Sequence, residues 1–541
     1  MARYDALQVG LVWQRLAGFI DEAAQVFLRT SFSSVVRDNW DMAVGLLDSR
    51  GRQIVQSSKS VPSFIGTMPR TLAEMLRRVP AATLAPGDVL VSNDAYHGTG
   101  HLNDVTMVMP VFRDGRLIAF IGSIFHSVDI GGAPSVDARD AYEEGLTIPV
   151  CRIVERGTEN PDVIAFLEAN LRAPRETLGD IRAQFAAYGL AQSRLLALLA
   201  SERIDDLDAL VDDILARSQA SMRAAIDALP DGRYTDEVTL DGFETPLTVR
   251  CAVTVRGSDL EVDYAGTSAQ VARPINSVMN YTIAYTNYAI KCLLDPGTPN
   301  NDGTFVPVRV SAPEGCLVNP LRPAPVWARH LSGHYLPPVI FGALARVLPD
   351  RVIAECGSPL WNVYFQGLQP DGERFVKMFF MNGGHGARQG RDGPACLSFP
   401  SNVATVSIER FESTVPLVIT EKAILGGSGG AGRWRGGPGQ RISFRVAGEH
   451  PVTMTIRHER VKFPPRGLLG GGPGAPGRDL VNGAPIPAKG RRTLAPGDVV
   501  TFDTPGGGGF GDARGGAEDG VGASAGAGAG APGAATAGAA R

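Results

Sequence analysis

The stretch SNDAYHGTGHLNDVTMVMPVFRDGRLIAFIGSIFHSVDIGG, residues 92–132, holds three of the eight histidines of the chain. Two apolar runs within it, TMVMPVF and LIAFIGSIF, flank the tetrapeptide RDGR at residues 113–116. An Asp-Gly pair between two apolar runs favours a two-residue turn, because both turn residues must adopt positive φ. The stretch therefore predicts an antiparallel hairpin that turns at Asp114 and Gly115.

Counting outward from that turn brings polar side chains together at the open end of the hairpin. Asp104 falls within about one residue of the position opposite His126, and His101 falls near Asp129. Opposed side chains have Cβ atoms about 4.5–5.5 Å apart, which metal–ligand bonds of about 2.0–2.2 Å can bridge. We therefore expect His101, Asp104 and His126 to hold a divalent metal, with Asp129 as a further ligand or an outer residue.

The residue types in this window indicate which metals would suit it. Two imidazoles and one or two carboxylates favour Mn, Fe, Zn or Co over Ca or Mg. The window has no cysteine, which argues against a closed structural zinc site. Asp94 and His97 are candidates for outer residues that orient the ligands. Two other interpretations stay open at this point, a metal-free catalytic or ligand-binding pocket and a solvated loop.

Composition excludes several classes of protein. The 541 residues carry a net charge of −4, and no Lys/Arg-rich run indicates a nucleic-acid or acidic-membrane partner. We find no signal peptide and no run of about 18 uncharged apolar residues that would cross a membrane. The six cysteines lie far apart without a CxxC pair, so we expect a reduced, cytoplasmic protein.

The patterning predicts an α+β protein. We expect a multi-lobed mixed fold with a metal-bearing β-hairpin region, a helical middle and a β-rich, glycine-rich C-terminal lobe. Runs such as GGSGGAGRWRGGPG and TPGGGGFGD in that lobe are interpreted as tight turns that need positive φ. The expected divisions are 1–158 with the hairpin, 159–230 helical, 231–382 α+β, 383–512 glycine-rich β, and 513–541 a disordered Gly/Ala tail.

Further candidates for a substrate pocket lie outside the hairpin. Arg329, His330 and His334 occur together in RHLSGHYLPP, and His385 lies in MNGGHGARQG. Arg329 could clamp a carboxylate or phosphate, because a guanidinium can bind such groups bidentately. For all four residues a purely structural role stays open. The sequence has no GxxxxGK[ST] motif, so we expect no ATP-binding loop in this chain.

Long motifs in this chain resemble those of the hydantoinase B family. SNDAYHGTGHLND resembles the family pattern NDPYxGGTHLPD, FHSVDIGG resembles HHxDIGG, and YEEGLTIP resembles YQEGLRIP. VDYAGTSAQVARPIN, APEGCLVNP, PPRGLLGG and TPGGGGFGD also resemble family motifs in the same order. The resemblance runs from about residue 10 to 512. Ala95, Asn103 and Ser127 depart from the pattern, as does GTG before His101, but none of these replaces His101, Asp104 or His126.

The family includes the B-type component of N-methylhydantoinase, half of 5-oxoprolinase, and the α component of acetone and acetophenone carboxylases. The resemblance implies that His101, Asp104 and His126 are metal ligands, and we expect manganese, with zinc or iron as alternatives. It also implies a hetero-oligomer with a hydantoinase A-type subunit of actin-like fold, on which ATP and Mg would bind. The leading hypothesis is ATP-dependent hydrolysis of a hydantoin, 5-oxoproline or other lactam. A ketone carboxylase and a non-catalytic scaffold for the A-type subunit stay open.

Overall fold

The computed structural model of the protein describes residues 4–132 and 136–513. These residues form a mixed arrangement of helices and four β-sheets, which confirms the expected α+β class. The tail that the sequence predicts to be disordered lies outside the described residues from position 514 onward.

The first sheet contains the predicted hairpin as its two most central strands. Its strand order is β2-β1-β5-β4-β3-β6-β7 and all its pairs are antiparallel. Apolar side chains fill both faces, with helices α1 and α5 packed on one side and α3 on the other. The strands are β1 (Met42–Asp48), β2 (Gln53–Gln56), β3 (Val89–Ser92), β4 (Asp104–Arg113), β5 (Arg116–His126), β6 (Cys151–Glu155) and β7 (Thr158–Glu159).

The helices of the first half follow local capping signals. The Asp5 side chain accepts hydrogen bonds from two backbone N–H groups of the first turn of α1, which satisfies donors that the helix leaves free. The Ser33 hydroxyl caps α2 by accepting from the backbone N–H of Val36, so α2 begins as a separate helix after α1. The helices are α1 (Ala6–Thr30), α2 (Ser34–Arg37), α3 (Met68–Arg78), α4 (Pro161–Asn170), α5 (Pro174–Ser201) and α6 (Leu207–Asp227).

A second sheet packs against the helical middle and shares its hydrophobic core. Its strand order is β11-β10-β9-β8, and helix α10 lies on β8 and β9. The strands are β8 (Gly232–Leu240), β9 (Leu247–Arg256), β10 (Asp259–Asp263) and β11 (Val308–Ser311). The helices are α7 (Met279–Leu294), α8 (Asp302–Phe305), α9 (His330–Gly333) and α10 (Leu336–Leu344).

The last two sheets enclose a separate aromatic-rich core. Their orders are β13-β12-β16-β19 and β14-β15-β20-β17-β18, so one sheet spans the division predicted at residue 382. The elements are β12 (Trp361–Leu368), β13 (Arg374–Met381), α11 (Ile408–Glu412), β14 (Leu417–Ile424), β15 (Gln440–Val446), β16 (Val452–Arg457), β17 (Arg478–Val481), β18 (Ala484–Pro485), β19 (Lys489–Leu494) and β20 (Val499–Asp503).

A buried hub of glycines joins these sheets. Gly506–Gly509 have no positive φ, whereas Gly511 of the same run has a φ of 74°, so the expected positive φ occurs in this run only at its last glycine. A Cβ on any of the four would lie 1.9–2.1 Å from a backbone oxygen of another segment. Glycine is needed here because neighbouring backbones approach closely. The four N–H groups donate to carbonyls of four separate residues, Ala475, Gly437, Glu355 and Gly472.

Candidate metal centre and its cavity

The hairpin has the register that a shared site requires. Asp114 and Gly115 both have positive φ, at 52° and 76°, and the two strands pair outward from this turn. An irregularity between Val111 and Phe112 shifts the pairing by one residue and places Asp104 directly opposite His126. Because side chains alternate between faces, this bulge puts the two on the same face of the sheet.

Three donor atoms converge at the open end of the hairpin. His101 Nε2 lies 2.7 Å from Asp104 Oδ1, His126 Nδ1 lies 3.2 Å from the same oxygen, and the two imidazole nitrogens are 3.1 Å apart. All three side chains are at least nine-tenths buried. Each residue thus offers one ligand atom to a common point.

Other residues fix the orientation of these groups. His101 Nδ1 donates to the carbonyl oxygen of Trp327 at 3.0 Å, which leaves Nε2 as the free lone pair. The second oxygen of Asp104 accepts hydrogen bonds from the Thr99 hydroxyl and from Arg329 Nη2, the latter at 2.5 Å. Gly100 has φ +102°, and a Cβ there would lie 2.4 Å from Arg329 Cδ. The backbone next to His101 therefore accepts only glycine without displacing the arginine.

The electrostatics set the protonation states that metal ligands need. Burial, reinforced by the charge of Arg329, lowers the pKa of His101 to about 4. Burial alone would raise the pKa of Asp104, but His101 and Arg329 hold it well below its usual range. At neutral pH a neutral imidazole therefore faces an ionised carboxylate, as cation binding requires.

The spacing of the donors fits a divalent ion. With bonds of about 2.1 Å, neighbouring ligand atoms lie about 3.0 Å apart in an octahedron and about 3.4 Å apart in a tetrahedron. The three observed separations, 2.7–3.2 Å, match adjacent octahedral positions better. Two histidines and one carboxylate on one face of an octahedron are a known ligand set for Fe and suit Mn equally.

His101 and His126 line a cavity that lies between the hairpin sheet, the third sheet and helices α7 and α9. Aromatic and aliphatic side chains form about half of its lining, and polar or ionisable side chains form the other half; such a mixture of apolar surface and convergent polar groups suits a small molecule. The residues that line it are Asp41, Val61, Ser63, His101, His126, Tyr281, Tyr285, Trp327, Arg329, His330, His334, Leu360, Asn362, Tyr364, Met378, Phe380, Ser401, Val403 and Arg457.

The candidate pocket residues from RHLSGHYLPP all line this cavity, but they differ in their hydrogen-bond and ion-pair partners. Arg329 is engaged with Asp104 and stacks 4.4 Å above the Tyr281 ring. The backbone N–H of Leu360 donates to His334 Nδ1 at 3.2 Å, so His334 Nε2 donates to the Tyr285 hydroxyl at 3.0 Å. Burial lowers the pKa of His334 to about 3, which keeps this imidazole neutral.

His385 lies elsewhere, among the glycines of the hub. Its Nδ1 donates to the carbonyl of Gly386 at 2.8 Å, and its ring packs edge-on against Phe399. It is absent from the described lining of the cavity.

The three residues predicted as further ligands or outer partners have other contacts. Asp94 Oδ1 accepts from the backbone N–H of Tyr96 at 2.9 Å, and the side chain of His97 is 47% exposed. Asp129 binds Arg172 Nη1 at 2.9 Å and the backbone N–H of Ala173 at 3.1 Å. Asp129 therefore lies at the start of α5. Asp94 and His97 line a separate cavity near α3.

Most of the other cavity residues were missed by the sequence reasoning, among them Asp41 and Arg457. Asp41 precedes β1, and its Oδ2 lies 4.0 Å from His126 Nδ1. Burial raises the pKa of Asp41 to about 6, although His126 opposes the shift. Arg457 ends β16 and comes from a strand more than 300 residues further along the chain. Only the pairing of β1 with β5, which no local pattern reveals, could have indicated Asp41.

This fold occurs in two solved enzymes. The structure of an ATP-dependent caprolactamase from Pseudomonas jessenii superposes with a TM-score of 0.86 at 27% identity, covering 94% of this chain and 92% of that one. A nucleotide-free acetone carboxylase structure gives the same TM-score at 19% identity, covering 94% of this chain and 76% of the other, which establishes a common fold.

The chain belongs to the hydantoinase B/oxoprolinase family, whose sequence model matches residues 5–513. The B-type subunit of a putative D-/L-hydantoinase from Pseudomonas sp. strain NS671 is 33% identical over 546 residues, covering 95% of this chain and 91% of the relative. The beta subunit of the Pseudomonas jessenii caprolactamase is 28% identical, covering 90% and 87%. The resemblance inferred from the motifs is confirmed.

No helix within the described part of the chain is long and apolar enough to span a membrane.

Proposed function

We propose that this chain is the metal-holding component of an ATP-dependent complex that hydrolyses a cyclic amide. The observation that carries the proposal is the buried triangle of His101 Nε2, Asp104 Oδ1 and His126 Nδ1, whose two histidines line a cavity. Relatives named as components of a hydantoinase and of a caprolactamase support the substrate class. The substrate would be a hydantoin, 5-oxoproline or another lactam.

Hydrolysis breaks the amide C–N bond and adds the hydroxyl of water to the carbonyl carbon and a proton to the nitrogen. A divalent ion, manganese first and zinc or iron as alternatives, would supply Lewis acidity at this site. His101 and His126 would hold it as neutral ligands, and Asp104 would neutralise part of its charge. The apolar wall would exclude bulk water, so that charges within the cavity interact strongly.

ATP would be used on a partner, a hydantoinase A-type subunit, because the sequence of this chain has no phosphate-binding loop. Phosphorylation there would transfer the terminal phosphoryl group of ATP to the amide oxygen and release ADP. In this chain a water would add to the activated carbon, the C–N bond would break with the proton going to nitrogen, and a second water would release inorganic phosphate. We infer a hetero-oligomer, and the names of the relatives, which describe parts of larger enzymes, support it.

The test is ATP turnover by the co-purified complex with a panel of hydantoins, lactams and ketones, with and without bicarbonate. We expect ADP release to depend on a cyclic amide and to be insensitive to bicarbonate. His126→Ala should abolish ring opening, whereas the matched variant His97→Ala should retain it. Ketone consumption that requires bicarbonate would establish the carboxylase alternative instead, and strong ATP turnover by this chain alone would contradict the division of labour.

A further inference from the structure

Four consecutive buried residues, Arg457–Arg460, end and follow β16, and one of them lacks a counter-ion. Their exposures are 3%, 0%, 0% and 1%. Among residues 4–132 and 136–513, no ion pair involves Arg457, and its Nε and Nη1 have no hydrogen-bond partner. The other three form ion pairs with Asp479 at 2.8 Å, Lys489 at 2.9 Å and Glu355 at 2.8 Å, respectively.

The guanidinium of Arg457 is held in place by aromatic rings. It stacks 3.8 Å above Trp327 and lies 4.8 Å from the Tyr364 ring centre. Such contacts stabilise a cation, and the Tyr364 side chain is also a hydrogen-bonding neighbour of the guanidinium, but Nε and Nη1 have no acceptor. A buried charge without a partner is costly, so this arrangement indicates that a ligand supplies the missing acceptor.

Two more polar atoms of the same cavity are unsatisfied. His330 Nε2 and Asn362 Oδ1 are buried without a hydrogen-bond partner in the described structure, and both residues line the cavity with Arg457. Rotation of the Asn362 carboxamide by half a turn exchanges its acceptor for a donor. The group that fills this space can therefore make several hydrogen bonds beside the unpaired cation.

We propose that Arg457 binds an oxyanion, a carboxylate or a phosphate, carried by the molecule that occupies the metal cavity. Planar guanidinium groups suit these two anions. Arg329, the other arginine of the cavity, is already engaged with Asp104 and cannot serve in the same way. Assigning the anion to the substrate rests on the proposed function, whereas the presence of an anion site does not.

Trp327 places this site next to the candidate metal centre. Its carbonyl oxygen accepts from His101, and its ring supports Arg457. A substrate whose anionic group is bound at Arg457 would therefore have its reacting end turned toward His101 and His126. The anion would fix both binding and orientation, which lowers the entropic cost of reaching a reactive geometry.

Titration calorimetry of the full chain, stripped of metal, tests the site with inorganic phosphate and with acetate. We expect one of these anions to bind wild-type protein, and the preferred one identifies the source of the oxyanion. Arg457→Gln should weaken binding about tenfold to a hundredfold, as expected for a lost hydrogen bond to a charged group. Arg492→Gln, an exposed arginine on the neighbouring strand β19, should bind as wild type.

A second measurement does not depend on a folded variant. Phosphate or acetate should raise the melting temperature of the wild-type chain relative to chloride at equal ionic strength, because a ligand that binds only the native state stabilises it. Equal binding by wild type and Arg457→Gln, or no binding and no stabilisation by either anion, would overturn the proposal. Because metal is absent, failure of the proposed hydrolysis would leave these results unchanged.

Discussion

Two walls of one cavity differ in how completely their polar atoms are satisfied. On the wall formed by the hairpin, both ring nitrogens of His101 and both oxygens of Asp104 have close polar neighbours. On the wall formed by α9 and the third sheet, atoms of Arg457, His330 and Asn362 have none among the described residues. The first wall is organised before any ligand arrives, whereas the second is completed by one.

The two arginines of the cavity make the same contrast. Both are buried and both lie over an aromatic ring. Arg329 has a carboxylate at 2.5 Å, and its task is to hold Asp104. Arg457 has no acid within the described chain, so its charge is available to a ligand. Burial and stacking are therefore common to both arginines. The presence or absence of a neighbouring carboxylate distinguishes an arginine with a structural role from one that is available to bind a ligand.

The largest expected effect is the loss of bound metal when one ligand side chain of the hairpin wall is removed. His126→Ala should remove nearly all bound metal, and His101→Ala and Asp104→Ala should do the same, because each deletes one of three donors. Asp129→Ala is the matched control, since that carboxylate binds Arg172 instead, and it should keep most of its metal. The measurement is metal content by elemental analysis of purified, folded protein. Full occupancy in folded His126→Ala would place the metal elsewhere.

A smaller effect should follow from crowding the same wall. Gly100→Ala adds a methyl group that would meet Arg329 Cδ at 2.4 Å, at a backbone φ of +102°. We expect a loss of stability of about 1–3 kcal/mol, typical of a residue forced into such a conformation. Thermal unfolding measures it. Gly189→Ala, within α5 and with no atom within 4 Å of the added carbon, should be neutral or slightly stabilising, and equal melting temperatures for the two variants would contradict a tightly packed wall.

A further effect, which depends on pH, concerns Glu144, a residue that supports Trp327 between the two walls. Its Oε1 accepts from the backbone N–H groups of Val326 and Trp327 at 2.6 and 2.7 Å. Burial raises its pKa from 4.5 to about 8, although these two N–H groups oppose the shift. The protonated form is thus the native one at neutral pH.

Because the folded pKa is raised, the stabilising contribution of Glu144 is fully present below pH 4.5 and is lost as pH rises through about 8. Wild type should lose up to about 1.4 kcal/mol per pH unit in this window relative to Glu144→Gln, which mimics the protonated acid. Chemical denaturation of both proteins between pH 5 and 9 measures the difference. Parallel profiles would show that Glu144 is ionised throughout.

The hairpin wall could be predicted from sequence because its residues are local. The Asp-Gly turn fixes the register within one residue, and three donors lie within 26 positions of one another. The bulge at Val111 and Phe112 left no readable signal, yet it decides which face Asp104 occupies. On the far wall only His330 could be predicted, because Asn362 and Arg457 reach the cavity through sheet pairing and packing that depend on the whole fold.

The glycine hub bears on how the molecule opens. The N–H groups of Gly506–Gly509 donate to three separate segments, around Glu355, Gly437 and residues 472–475, and all four glycines are buried. Exchange of these amide hydrogens with solvent water requires those segments to separate together, so they should be among the slowest to exchange. Amide hydrogen exchange at these four glycines would then report on opening of the C-terminal half of the protein.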